Sequence, residues 1–157
     1  MGARRKSREL AMQALFCMDV LQNDSEDIIQ RLSEMLRLTP DSQAFYLTLI
    51  KGVLENRPRL DALIEQFSSN WKISRMGCVD RNILRIGAYE LLFCPDIPPK
   101  VTINEAVDIG KLYGTEESGA FINGILDGIY QHGMPGRPKK NPPMDPENPP
   151  TLQEQGA

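Results

Sequence analysis

Residues that carry chemistry in enzymes are scarce in this chain. Its 157 residues include one histidine and three cysteines. The histidine, His132, lies where the last predicted helix meets a proline-rich segment, which favours a solvated terminal histidine over a catalytic base. The sequence contains neither a phosphate-binding glycine loop nor a nucleophile with an identifiable base partner. We therefore expect a protein that is not an enzyme, with no metal site and no cofactor.

Long apolar runs are also missing. No stretch of about eighteen consecutive apolar residues occurs, which argues against a membrane-spanning helix. The basic N-terminus does not continue into a signal-peptide core, because polar residues such as Glu9 and Asp19 interrupt it. Cys17, Cys78 and Cys94 are an odd number without CxxC spacing, which favours buried thiols over disulfides or metal ligands. These features predict a cytoplasmic protein.

The apolar residues are spaced as in helices, and no segment shows the alternation of a strand. One segment fits the i, i+3, i+4, i+7 template completely: Leu60, Leu63, Ile64 and Phe67. Asn56 and Pro58 are expected to mark the start of its helix, and Thr102 with Glu105 fits a capping box that begins another. The sequence therefore predicts an all-α, single-domain bundle of about seven helices.

The composition changes near the C-terminal end. Seven of the twelve prolines fall among residues 133–157, where apolar side chains are almost absent. Such a segment cannot bury enough apolar surface to offset the entropy of ordering it. We therefore expect a helical domain over residues 1–132 and a disordered tail over residues 133–157.

Positive charge is concentrated at the start of the chain, although the formal net charge is −3. The first ten residues hold four cations and one acid: Arg4, Arg5, Lys6 and Arg8 against Glu9. Local charge, more than net charge, governs the electrostatic capture of phosphates. On a helix Arg4 and Arg8 share one face, so several cations can reach a phosphate backbone. The alternative is an ordinary solvated basic terminus.

Four separated motifs occur in the order typical of one bacterial family. They are ARRKSRE at residues 3–9, DRNILRIGAYEL at 80–91, PPKVTINEAV at 98–107 and FINGILD at 121–127. On these motifs the chain resembles the NusB family of transcription antitermination factors, over about residues 3–130. Each motif alone is weak, but the four together in order make the resemblance specific.

The resemblance implies both a fold and a function. NusB-like proteins are helical and bind boxA-type single-stranded RNA jointly with NusE, a small-subunit ribosomal protein. They help RNA polymerase read through termination signals in ribosomal RNA operons. By this resemblance the chain is a non-catalytic adaptor in the antitermination complex, and Arg4, Arg5, Lys6 and Arg8 form part of its RNA-binding surface. Homodimers are known in the family, so a homodimer is left open.

Phe121 has two interpretations. It lies near a loop that carries RNA contacts in the NusB family, and recognition of single-stranded RNA uses aromatic platforms on which bases stack. A role in core packing is equally well supported, because Phe121 is next to the apolar stripe of the last helix. Gly119 and Ala120 stand where relatives often have larger polar or basic side chains, which weakens the expected RNA contact at this loop.

The resemblance also implies a protein-binding surface. Asp80 matches an acidic position that contacts NusE in the family, and Phe16 matches an aromatic position near the same contact. The alternative is that Phe16 is a core residue and Asp80 an ordinary exposed acid. Arg81 and Arg85, one turn apart on the same helix, would repel each other unless acids pair with them.

Two other functions remain open at this point. Some ribosomal RNA cytosine methyltransferases carry a similar helical RNA-targeting domain, but here only the tail follows Tyr130 and no methyltransferase domain is expected. The second open function is that of a purely protein-binding helical module in which the basic terminus is incidental. Salt-dependent binding to a short single-stranded RNA would separate this module from an RNA-binding protein.

Overall fold

The computed structural model describes residues 2–69 and 71–135. They form six α-helices: α1 (Ala3–Leu21), α2 (Glu26–Met35), α3 (Pro40–Gln66), α4 (Cys78–Phe93), α5 (Pro99–Tyr113) and α6 (Ser118–Gly128). A 3₁₀ turn, Ile73–Arg75, precedes α4, and a π-helical turn, Ile129–Gly133, follows α6. No strand occurs in this part of the chain, and the predicted all-α class is confirmed. Most of the predicted tail, residues 136–157, lies outside the described residues.

Helix α4 lies at the centre of the bundle, because it contacts α1, α3, α5 and α6. Its own buried apolar residues include Ile83, Leu84 and Leu91. Fully buried side chains from α3 and α6 complete the core, among them Leu49, Ile50, Ile122 and Leu126. Burying one such side chain contributes about 1.5–3 kcal/mol, so the core fixes the helices that carry the candidate site. None of the described helices is both long and apolar enough to cross a bilayer.

The predicted helix boundary at Asn56 and Pro58 is wrong, because α3 continues through both residues. Proline in a helix interior costs about 3 kcal/mol, since it lacks the backbone N–H. Beyond the proline, Leu60 and Ile64 are fully buried, so their packing outweighs this cost. Asn56 also turns back along the helix, where its Nδ2 donates to the carbonyl of Gly52 at 2.8 Å. This continuity reduces the predicted seven helices to six.

The predicted capping box at Thr102 and Glu105 is also wrong. Helix α5 begins three residues earlier, at Pro99, because a proline at the first helical position has its φ preset and needs no donor there. Thr102 is buried, and its hydroxyl donates to Glu90 Oε1 at 3.3 Å. Glu105 pairs with Arg5 of α1. Both side chains therefore join α5 to its neighbours.

Candidate nucleic-acid interface

Arg8 is the inward-facing member of the basic N-terminal cluster. Its Nη2 donates to Glu90 Oε1 at 2.6 Å and its Nε to Glu90 Oε2 at 3.0 Å. Both residues are almost fully buried, with exposed fractions of 3% and 2%. The Thr102 hydroxyl also donates a hydrogen bond to one of the Glu90 oxygens. This bidentate pair joins α1 to α4 and fixes the direction in which the start of α1 points.

The other three cations of the cluster lie nearer the surface. Arg4 is exposed and its Nη2 lies 3.3 Å from Asp96 Oδ2. Arg5 is bound between Glu105 and Asp108 of α5, and these hydrogen bonds raise its pKa, with Glu105 the largest cause. Lys6 is exposed and has no ion-pair partner among residues 2–69 and 71–135.

These positions divide the four cations into two groups. Arg4 and Lys6 offer exposed charge, and the Arg4 pair is a surface salt bridge of the kind worth about 0–1 kcal/mol, which a phosphate can replace. Arg5 and Arg8 are held by carboxylates of α4 and α5. The expectation that Arg8 presents its guanidinium to a phosphate backbone is therefore corrected, because that group faces the core.

Phe45 of α3 reinforces this arrangement. Its ring lies 5.1 Å from the Arg4 guanidinium and 5.3 Å from that of Arg8. A cation over an aromatic face gains about 0.5–1 kcal/mol at exposed sites. Arg4 and Arg8 thus share one face of α1, as predicted, and that face packs on an aromatic ring.

Phe121, in the first turn of α6, is half-buried and packs against the core with part of its ring facing solvent. Helix α5 spans the distance between Phe121 and the N-terminal cluster. Arg5 contacts Asp108 of α5, and one turn later the side chain of Lys111 lies against Gly119 at the start of α6. Lys111 is exposed, so it adds a cation between the cluster and the phenylalanine.

The two residues of the implied protein-binding surface are both half-buried. Phe16 lies in the C-terminal half of α1, and Asp80 lies in the first turn of α4. Asp80 lines a cavity of about 270 Å³ together with Phe121, Glu117 and Arg75. The structure therefore brings Asp80 near the predicted base platform, while Phe16 lies on a different element.

Arg81 and Arg85 have the acidic partners that their spacing requires. Asp19 lies 3.0 Å from Arg81 Nε and 3.2 Å from Arg85 Nη1, and Asp61 Oδ1 lies 2.7 Å from Arg85 Nε. Burial alone would raise the pKa of Asp19, but the hydrogen bond from Asn82 and the two arginine charges outweigh it and lower this pKa. The network stabilises the contact of α1 with α4.

A polar cleft of about 410 Å³ opens beside this network. Its three arginines are all paired with carboxylates: Arg57 with Asp24, Arg81 with Asp19, and Arg85 with Asp19 and Asp61. A cleft whose cations are already neutralised has little attraction for a further anion. We therefore interpret the ion pairs of this cleft as structural and do not propose an anion-binding site there.

The three cysteines are all free thiols. Burial raises the pKa of Cys94 to about 11, so its reactive thiolate is scarce at neutral pH. No group of three or more histidine, cysteine, aspartate or glutamate side chains in the described ranges is placed to hold a metal ion.

Sequence reasoning missed an exposed aromatic side chain beside Phe121. Trp71 lies between α3 and the 3₁₀ turn and is 56% exposed. It lines one cavity together with Phe121 and another with Lys72 and Arg75. The signal available was an isolated tryptophan followed by two cations, outside every apolar stripe.

Comparison with known proteins assigns this arrangement to a family. A family model described as the NusB family matches residues 5–131. The chain belongs to the NusB family. It is 52% identical to the transcription antitermination protein NusB of Desulfatibacillum aliphaticivorans, over 84% of this chain and 92% of that protein. It is 44% identical to NusB of Myxococcus xanthus, over 82% and 95% of the two chains.

Solved NusB structures share the fold. T. maritima NusB matches with a TM-score of 0.74 and 43% identity, covering 81% of this chain and 89% of that one. A crystal structure of the antitermination factors NusB and NusE in complex with double-stranded RNA matches with a TM-score of 0.75 and 28% identity, over 83% and 97%. The predicted NusB family, its helical fold and its non-catalytic place in transcription antitermination are confirmed.

Proposed function

We propose that this chain is an adaptor that binds boxA-type single-stranded RNA jointly with NusE and so helps RNA polymerase pass termination signals in ribosomal RNA operons. The observation that carries the proposal is the geometry of α1. Arg4 and Lys6 are exposed on its first turn, while the buried Arg8–Glu90 pair fixes the next. Cations on a rigid helix lose little entropy when they bind a phosphate backbone.

The comparisons support both partners. The NusB of one structural neighbour was solved with NusE and RNA, and that NusB covers 83% of this chain. Asp80 and Phe16 are our candidates for the NusE contact, and Phe121 for a base contact. Joint binding spreads the ordering cost over two interfaces, so neither need be tight alone. Transcription places the protein in the bacterial cytoplasm.

Titration of a fluorescently labelled boxA RNA with and without NusE tests the proposal. We expect NusE to tighten RNA binding by the wild-type chain. Asp80→Lys reverses one charge at the suspected NusE contact, so it should weaken NusE binding without weakening the binding of RNA alone. RNA affinity that NusE does not alter would reject joint binding, and wild-type NusE affinity in Asp80→Lys would remove Asp80 from the interface.

A further inference from the structure

Trp71 is the only tryptophan of the chain, and its indole is exposed. Its N–H donates to the carbonyl of Ser68 at 3.1 Å, and its own carbonyl accepts from Ser68 Oγ at 2.7 Å. Ser68 is 4% exposed, so the anchor is buried while the indole is 56% exposed. An exposed aromatic ring marks a binding surface when further apolar side chains adjoin it in one patch.

The indole lines an uncharged cavity of about 380 Å³, which falls in the size range of small-ligand sites. Trp71 and Phe121 both line it, and Phe67 and Ile125 contribute apolar walls. Ala120 and Gly124 are small and exposed at the same cavity, so they leave space beside the two rings. The dimensions and lining suit a flat, apolar-faced group that enters next to the aromatic rings.

Lys72 and Arg75 line a second cavity of about 330 Å³ with Trp71 and Ser69. Both cations are exposed. Neither takes part in an ion pair or a side-chain hydrogen bond within residues 2–69 and 71–135. An anion bound here would displace no carboxylate, in contrast to one bound at the paired arginines of the cleft beside α4.

Acidic side chains at one edge of this surface would orient a bound nucleotide. Asp80 and Glu117 line the third cavity next to Trp71, together with Arg75 and Phe121. The two acids repel phosphate from that edge, whereas the described lining of the cavity that holds Lys72 contains no acid. A nucleotide would therefore place its phosphate on the Lys72 side and its base towards the cavity shared with Phe121.

We propose that Trp71 and Phe121 together form a binding site for one unpaired RNA base, with Lys72 and Arg75 on the adjoining phosphates. The inference rests on the proposed RNA-binding function and extends the RNA surface to the turn between α3 and α4. Stacking tolerates any base because every base has a π face. RNA fits better than a protein partner, since Lys72 and Arg75 have no carboxylate partner within residues 2–69 and 71–135 and the 380 Å³ cavity lined by Trp71 and Phe121 has no charged side chain among its described residues.

Intrinsic fluorescence reports on this site directly, because Trp71 is the chain's only tryptophan. The full-length chain is titrated with a boxA oligoribonucleotide while tryptophan emission is recorded, and anisotropy of a labelled copy of that RNA measures binding independently. We expect the emission to be quenched with the same midpoint as the anisotropy change.

Substitutions test the energetic contribution. Trp71→Ala should weaken RNA binding about 5- to 150-fold, the range reported for losing a stacked base contact, with an unchanged thermal midpoint because the indole is exposed. Trp71→Phe keeps a ring and should recover most of the affinity. Lys72→Ala and Arg75→Ala should each reduce the salt slope by about 0.7. Met35→Ala, which removes a 74% exposed apolar side chain on α2, is the matched control and should bind like wild type.

The outcomes separate this inference from the proposed function. RNA binding seen by anisotropy, with constant Trp71 emission and wild-type affinity in Trp71→Ala, overturns the base site and leaves the proposed function intact. Quenching by NusE but not by RNA assigns the surface to the protein partner and also overturns the base site. Absence of RNA binding by either readout, with or without NusE, rejects the proposed function and the inference together.

Discussion

Arg8 of α1 and Glu90 of α4 form a bidentate ion pair inside the protein, with 2.6 Å between Nη2 and Oε1. This pair separates the basic N-terminal sequence into an inward anchor and an outward surface. Arg8 fixes the helix that carries Arg4 and Lys6, and these two exposed side chains are the ones that can contact a ligand.

Arg8→Ala should destabilise the protein by about 3–5 kcal/mol, because it leaves the Glu90 carboxylate buried without its charged partner. Urea denaturation measures this change. Arg31→Ala is the control, since Arg31 is 70% exposed in its side chain and, within residues 2–69 and 71–135, its one ion pair is with Asp27 one turn away; such pairs contribute about 0.3–0.5 kcal/mol. Wild-type stability of Arg8→Ala together with lost RNA affinity would instead place Arg8 in the binding surface.

Asp19→Asn should lower the stability at neutral pH by about 1–3 kcal/mol, because it weakens charged hydrogen bonds to Arg81 and Arg85. The folded-state pKa of Asp19 lies below its ordinary value of 3.8. Its contribution is therefore fully present above about pH 4 and is lost as the pH falls through the folded-state pKa. Unfolding free energies of the two proteins should converge in acid. A difference that stayed constant from pH 7 to pH 2 would contradict this account.

Gly52→Ala should destabilise the protein by about 1–3 kcal/mol or more, because α3 and α4 approach closely at this glycine. A Cβ at residue 52 would lie 2.1 Å from Cζ of Tyr89, so the ring would have to move. Gly124→Ala is the control, since nothing in the described part of the chain, apart from its own helix backbone, lies within 4 Å of its Cβ position, and there the better helix propensity of alanine should stabilise by about 0.5–1 kcal/mol. Equal thermal midpoints for the two variants would refute the close approach.

Phe121→Leu separates core packing from base stacking, because leucine retains apolar volume but removes the ring. Volume-conserving swaps usually cost under about 1.5 kcal/mol of stability, whereas loss of a stacking platform costs about 1–3 kcal/mol of RNA affinity. We expect a nearly unchanged urea midpoint and clearly weaker RNA binding in anisotropy titrations. Full RNA affinity in the folded variant would assign Phe121 to the core alone.

Local pattern was enough to predict the helical class, the family and the shared face of Arg4 and Arg8. It failed where tertiary contacts decide between local alternatives. Pro58 is a helix breaker by local rules, yet the burial of Leu60 and Ile64 keeps α3 continuous. A single sequence carries no sign of that packing.

The candidate site shows the same limit. Charge alone does not tell which arginine faces inward, and Arg8 does so because Glu90, 82 residues later, lies opposite it. Trp71 was missed because neither helical spacing nor the family motifs include it. Its importance becomes visible only when α6 places Phe121 at the same cavity.

The central claim is that the exposed cations of α1 hold the RNA backbone, and the salt dependence of RNA affinity tests it most directly. The slope of log affinity against log salt is measured for wild type, for the Arg4→Ala, Lys6→Ala double variant and for Arg31→Ala. Each single-strand phosphate contact contributes about 0.7 to the slope, so the double variant should lose about 1.4, while Arg31→Ala keeps the wild-type value. An unchanged slope in the double variant would contradict the account.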